Sequence, residues 1–233
     1  MSKLVTQFIS TFNRTEKYLK EYLNSESNFH SLINEASRKS AVVHAHKDKL
    51  QHYRKLRNVI VHETRSETYI ASPYKSTVEE FEEVYKKISD PPKVYPRCEI
   101  NVKTFSSNDK LHSVLEDIKN YKYTQFPIYE NNKFNKLLTT NGITNALAKM
   151  FNLKDGGVIL EDDLKIKQIL PYEEYEKNYE FISKDYNMYE ATEMFNNKEN
   201  SVEALLITQN GKITENLLGI VTIWDVLKFN NVN

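Results

Sequence analysis

Thr222 and Asp225 stand three residues apart where an apolar run, Leu217–Val221, hands over to a helix-forming one, Ile223–Leu227. A strand that turns straight into a helix leaves the first amide hydrogens of the helix unpaired and aimed at one spot, a ready place for phosphate. A hydroxyl at the turn adds one more donor. A carboxylate one turn on can accept both hydroxyls of a ribose. A nucleotide monophosphate would find partners there for its two polar parts, with nearby apolar surface needed to hold a base. Simple helix capping by Thr222 suits the same residues, and this stretch alone leaves both readings open. A second candidate set is Arg57, Asn58 and His62. Five steps at roughly 100° put Arg57 and His62 about 140° apart on one straight helix, so a shared site needs a bend or a second subunit. Asn58 and His62 do share a face. Arg57 and His62 could equally pair with acidic residues and pin the helix packing. The remaining histidines show no metal-ligand spacing: His44 and His46 are two apart and face different ways.

The elements that must position these residues fall into two halves. Before Pro73 the chain has neither Gly nor Pro. Leu4, Phe8, Phe12, Leu19 and Leu23, with Ile9 and Tyr22 beside them, recur at helical spacing. After the break at Asn24–Ser27, Phe29, Leu32, Ile33, Ala36, Val43, Leu50, Tyr53, Leu56 and Ile60 predict a second, long helix. Val78, Phe81, Val84, Tyr85 and Ile88 predict a shorter third one. Ser89-Asp90-Pro91-Pro92-Lys93 reads as a linker, because consecutive prolines cannot continue a helix.

Composition narrows the possibilities. The 233 residues are 39% hydrophobic, enough for one or two cores. Charge balances at 32 basic against 32 acidic residues, so no global field favours nucleic acid or a membrane. The single Cys98 has no internal partner for a disulfide and supplies no metal set, which points to a reducing, cytoplasmic setting. No apolar run approaches the roughly 20 residues of a membrane span. The opening residues read as an amphipathic helix rather than a signal peptide.

Arg57-Asn58-Val59-Ile60-Val61-His62, followed by Ile70-Ala71-Ser72-Pro73 and a further helix, resembles the signature of the HEPN helical domains, many of which are ribonucleases. For those members the resemblance implies a metal-independent cut at a site formed across a dimer. Arg57 would stabilise charge developing on the phosphate and His62 would act as acid or base, with Asn58 beside it.

From Val94 onward short strands alternate with helices, and the order occurs twice. Glu99–Val102 predicts a strand, Ser106–Asp109 a cap, and Leu111, Val114, Leu115 and Ile118 a helix face. Gln125–Tyr129 and Phe134–Thr139 predict a hairpin, and Ile143, Leu147 and Met150 the helix after it. Tyr179–Ile182, the face of Met188, Ala191 and Phe195, Val202–Thr208, and Leu217–Val221 repeat the order. A duplicated β-α-β-β-α unit is a specific architectural signal. Gly156-Gly157 reads as a turn between the copies. Glu161-Asp162-Asp163 and Glu173-Glu174 with Glu176 read as solvated acidic surface.

Gly219-Ile220-Val221-Thr222-Ile223-Trp224-Asp225 matches the pattern of the CBS (cystathionine-β-synthase) domains: Gly, two apolar residues, Thr or Ser, two residues, Asp. The repeat resembles a tandem pair of them. The resemblance implies two copies packed through their sheets, with two clefts that commonly take AMP, ADP, ATP or S-adenosylmethionine and regulate an attached domain. It also implies that Thr222 faces the phosphate, Asp225 the ribose, and Ile220 the base. Tyr123, Thr124 and Val102 would supply the opposite wall and Arg97 a phosphate partner. Glu203, beside Ala204, stands where many relatives carry a basic group, which disfavours a triphosphate. The first copy keeps Thr139 but has Gly142 where the ribose carboxylate is expected, so one good site is expected rather than two.

The expected fold class is α+β, an N-terminal all-helical domain followed by a tandem CBS pair. The helical domain spans 1–90, the linker 91–97 and the pair 98–233, with copies at about 98–155 and 175–230. The expected function is regulatory sensing of AMP or another adenosyl compound, with no required cofactor or metal, in a homodimer that does not enter membranes. Two rivals remain: a ribonuclease using Arg57 and His62, with RNA as the partner of the helical domain, and a ligand-free scaffold.

Overall fold

The computed structural model of the chain describes residues 3–62, 71–150, 163–197 and 201–232. They form two compact units, the first holding Met1–Pro92 with Asn187–Glu193 and the second Lys93–Tyr186 with Met194–Asn233. Ile70, the Gly156-Gly157 turn, Glu161, Asp162 and the side chain of His62 lie outside the described residues.

The first unit is built on α1 (Lys3–Leu23), whose Val5, Phe8, Phe12, Thr15 and Leu19 form one buried stripe. Against it pack α2 (Phe29–Lys39), α4 (Lys47–His62) and α5 (Lys75–Ser89). Phe8 meets Phe81 at 5.3 Å and Tyr53 at 6.3 Å between ring centroids, and Tyr53 stacks on Phe81 at 4.1 Å. The single long helix expected over 29–60 is three: α2, the short α3 (Ala41–Ala45) and α4. Ser40 breaks it, adopting an extended conformation while its hydroxyl accepts from the Val43 amide. The break lets α2 pack on α4, which two turns of one straight helix cannot do. Asn187–Glu193 complete this unit. They begin α9 (Met188–Asn196), whose Tyr189 hydroxyl lies 3.0 Å from His46 Nε2.

The second unit carries two three-stranded sheets of identical order. In the first, β1 (Phe105–Ser106) runs parallel to β2 (Gln125–Glu130), which pairs antiparallel with β3 (Lys133–Thr139). In the second, β4 (Tyr179–Ser183) runs parallel to β5 (Ala204–Thr208), which pairs antiparallel with β6 (Gly219–Thr222). Helix α6 (Leu111–Tyr121) follows β1 and α7 (Thr140–Met150) follows β3. The segment between the copies adds the short α8 (Ile166–Ile169) and a 3-10 turn at Leu170–Tyr172, and α10 (Ile223–Val232) follows β6.

Side-chain alternation along β3 divides the core. Leu138 joins Phe126, Ile128, Val114 and Ile143 under the helices of the first copy. Leu137 points the other way and meets Ala204, Leu206 and Ile220 of the second sheet, with Phe134, Phe181 and Val102 around them. The two copies are therefore packed through their sheets, an α+β architecture. The strand expected at Glu99–Val102 is not one. Glu99 instead makes an isolated bridge to Ile220 of the other copy, and the first sheet opens at Phe105. Gly219 permits this crossing: a Cβ there would stand 2.8 Å from the Glu99 carbonyl oxygen.

Candidate functional site: two sheet-to-helix junctions

Each copy ends its hairpin in a threonine that opens a helix. Thr222 ends β6 directly before α10, and Thr139 ends β3 directly before α7. At the second junction the Asp225 carboxylate reaches back one turn. Its Oδ2 accepts from the Thr222 amide at 2.8 Å and from the Thr222 hydroxyl at 2.9 Å. That is a capping arrangement, with a carboxylate at the positive end of the helix. Thr222 donates in both bonds, so the capping group is the Asp225 carboxylate rather than the Thr222 hydroxyl. Asp225 Oδ1 takes no hydrogen bond among the described residues, and both side chains are half-buried.

Around this junction lie several of the residues singled out in the sequence. Ala204 is paired with Thr222 across the ladder. Ile220 is buried with Ala204, and Val102 packs against the same cluster. The Ile220 amide donates to the Glu99 carbonyl at 2.9 Å. Cys98, absent from the sequence-derived set, is buried here. Burial pushes its thiol up to about 12, with the Asp225 charge adding to the rise and Arg97 opposing it, so the thiol stays protonated and inert. Arg97 itself is exposed.

Tyr123 and Thr124 adjoin the other junction. They precede β2, and the Thr124 carbonyl accepts from the Thr140 amide at 3.1 Å. Tyr123 stacks on Tyr121 at 5.5 Å and packs against the core of the first copy. Glu203 is half-buried with its carboxyl raised by burial, an effect that Asn178 opposes and Glu174 reinforces.

The first junction is satisfied differently. Thr139 is 1% exposed, and its partner is Glu173, a residue of the segment joining the copies. Glu173 Oε1 accepts from the Thr139 amide at 2.7 Å and Oε2 from its hydroxyl at 3.0 Å. Asn178 Nδ2 donates to the same Oε2 at 3.2 Å. Burial raises the Glu173 carboxyl, the two Thr139 bonds pull it back, and Glu203 pushes it up again. Glu173 is therefore not the solvated surface residue its acidic neighbours suggested. The signal for it was the missing carboxylate at Gly142, which left α7 without a cap.

Cavities open in both units. One, of about 1060 Å³, is lined by Val102, Thr104, Tyr129, Lys133, Phe134 and Leu217 among others, and by neither Thr222 nor Asp225. It sits where β3 and β6 begin, whereas the junctions stand where those strands end. The other, of about 310 Å³, lies in the helical unit and is lined by Arg54, Arg57, Asn58, His30, Phe12 and Glu16 among others. Arg57 stacks its guanidinium 5.5 Å from the centroid of the Phe12 ring. Among the described residues no group of three or more His, Cys, Asp or Glu is placed to hold a metal ion. None of the described helices is long and apolar enough to cross a membrane.

Residues 173–231 match the family model of the CBS domain. The first copy repeats the strand order and pairing of that stretch. Among solved structures the chain is similar to the CBS domain pair of protein MJ0100 in complex with 5'-methylthioadenosine and S-adenosyl-L-methionine, at 15% identity over 60% of this chain and 96% of that one, with TM-score 0.44. It is also similar to CBSX2 in complex with AMP, at 11% identity over 60% of this chain and 97% of that one, with TM-score 0.44. A third is the conserved CBS domain protein TA0289 from Thermoplasma acidophilum, at 15% identity over 59% of this chain and 68% of that one, with TM-score 0.43. No curated protein matches the chain.

Proposed function

We propose that the CBS pair senses an adenosyl compound at the Thr222–Asp225 junction and thereby biases the helical unit, read as HEPN-like, in a cytoplasmic homodimer. The observation that carries this reading is the half-buried Asp225 carboxylate. One of its oxygens is fixed by Thr222, and the other has acceptor capacity to spare for a sugar hydroxyl. Val102, half-buried where it packs on the buried Ile220 and Ala204, supplies apolar surface for a base. Glu203, one residue before Ala204, disfavours a triphosphate, so AMP, a nucleoside or S-adenosylmethionine fits better than ATP. The ligands crystallised with MJ0100 and CBSX2 serve as probes of that chemistry.

In this reading the effect passes along the chain at α9, whose first residues belong to the helical unit and whose last turn belongs to the second. A ligand acts through such an element only by binding two of its arrangements unequally.

The test is a thermal-shift panel of AMP, ADP, ATP, S-adenosylmethionine and 5'-methylthioadenosine against the full chain. A ligand present at 100 times its Kd should stabilise by about 2.7 kcal/mol, and Asp225→Ala should abolish the shift. No shift with any member, or an equal shift in Asp225→Ala, would remove the reading.

A further inference from the structure

The two junctions are related by the repeat, so Gly142 holds the place of Asp225: each stands three residues after its threonine. A Cβ built on Gly142 would lie 2.0 Å from Glu173 Oε1 and 2.4 Å from Glu173 Cδ. The carboxyl of Glu173 therefore occupies the volume in which a side chain at position 142 would begin. It also takes the same two donors, amide and hydroxyl of the junction threonine, at 2.7 and 3.0 Å against 2.8 and 2.9 Å in the second copy. Position and hydrogen bonding agree, and they do so from a residue 34 positions away in sequence from Thr139.

The closure of the two sites differs. At the second junction a single oxygen carries both bonds. At the first, both Glu173 oxygens are engaged and Asn178, fully buried, supplies a third donor. The Thr139 hydroxyl, besides donating to Glu173, accepts from the Gly142 amide at 3.0 Å. No corresponding amide of α10 reaches the Thr222 hydroxyl among the described residues. At the first junction the Thr139 amide and hydroxyl and both Glu173 oxygens are thus paired internally and the threonine is out of water, and the buried Asn178 Oδ1 is the acceptor there without a partner among the described residues.

We propose that Glu173 is the junction carboxylate of the first copy, delivered by the segment between the copies, and that its seating there closes the first cleft, so the chain offers an adenosyl compound one site. The stoichiometry rests on the function proposed above. The exchange of one carboxylate for another stands on the geometry alone, and the two are tested separately.

The exchange is tested by a double-mutant cycle on the full chain, using denaturant unfolding of Gly142→Asp, Glu173→Ala and the combined variant. Gly142→Asp alone should be the least stable, since a Cβ and a second carboxylate compete for occupied space. Adding Glu173→Ala should restore stability, because the carboxylate introduced at position 142 can then cap as Asp225 does. Losses that merely add would overturn the exchange. Should Gly142→Asp not fold, hydrogen exchange of Glu173→Gln carries the test. Faster exchange at 139–142 with 222–225 unchanged is expected, and equal protection would overturn it.

The closure is tested by calorimetric titration with AMP. Wild type should bind one equivalent and the combined variant two. Two equivalents in wild type, or one in the combined variant, would overturn the closure. Binding of none by wild type beside a strongly coupled cycle would overturn the sensing function and leave the exchange standing.

Discussion

The Thr222 and Thr139 junctions are built on one plan and finished by different residues. In the second copy the capping carboxylate comes from the helix it caps, one turn in, and the site stays half open. In the first it comes from a separate segment, is held by Asn178 as well, and the threonine is buried. A repeat can keep its backbone and its electrostatics while changing which part of the chain supplies a charged group. What changes with the supplier is how much capacity remains for anything else. A local cap spends one oxygen; an imported one is packed in and spends both.

Several measurements would break or sharpen that contrast. The largest effect is expected at the buried threonine. Thr139→Val strands the buried Gly142 amide and removes one of the three donors to the Glu173 carboxylate, and should cost about 2–3 kcal/mol in denaturant unfolding. The matching Thr222→Val, half in water, should cost about 1 kcal/mol. Equal losses would erase the distinction.

A pH comparison separates the two units. In the helical unit, burial lowers His46 from 6.5 to about 4, with Lys87 and Lys49 adding to the effect. A depressed histidine contributes stability that is present above its unfolded value and lost as pH falls from about 6.5 towards 4. Discounted for water reaching the ring, this loss is on the order of 2 kcal/mol. His46→Gln should flatten that limb of a stability-against-pH curve.

Asp225→Ala, which removes a local cap, should cost about 1 kcal/mol in the absence of ligand. The smallest effect is expected at Glu203, and its pH slope is opposite to that of His46. Glu203 and Glu173 are raised by burial, so the folded state holds their protons more tightly, and stability falls as pH rises through the window above the ordinary glutamate value. Glu203→Gln should gain on wild type as pH climbs through that window, by well under about 1 kcal/mol after screening. A gain that shrinks with rising pH would show that the sign is wrong.

Much of the fold could be read from periodicity. Leu137 and Leu138 fall on opposite faces because strand alternation demands it, and the hairpins, α6, α7 and α10 follow from the same patterns. The Thr222–Asp225 spacing was visible as well. The features that escaped depend on partners distant in sequence. Glu99 pairs with Ile220 in the other copy, so its own neighbours gave no warning that it would leave the first sheet. Ser40 breaks a helix whose apolar spacing runs on through Val43, since a serine hydroxyl competes locally for an amide. Glu173 looked solvated among Glu174 and Glu176. Its place is set by a Cβ that Gly142 lacks, and no window of local sequence contains both.

The helical unit is not contiguous in the chain. Met1–Pro92 are completed by Asn187–Glu193, which bring Tyr189 to His46 and let the Met188 amide donate to the Pro92 carbonyl at 2.8 Å. A gene fragment stopped at the prolines would therefore encode the helices without their last wall, exposing a histidine otherwise kept neutral by burial. Any excised helical piece needs residues 187–193 grafted back on.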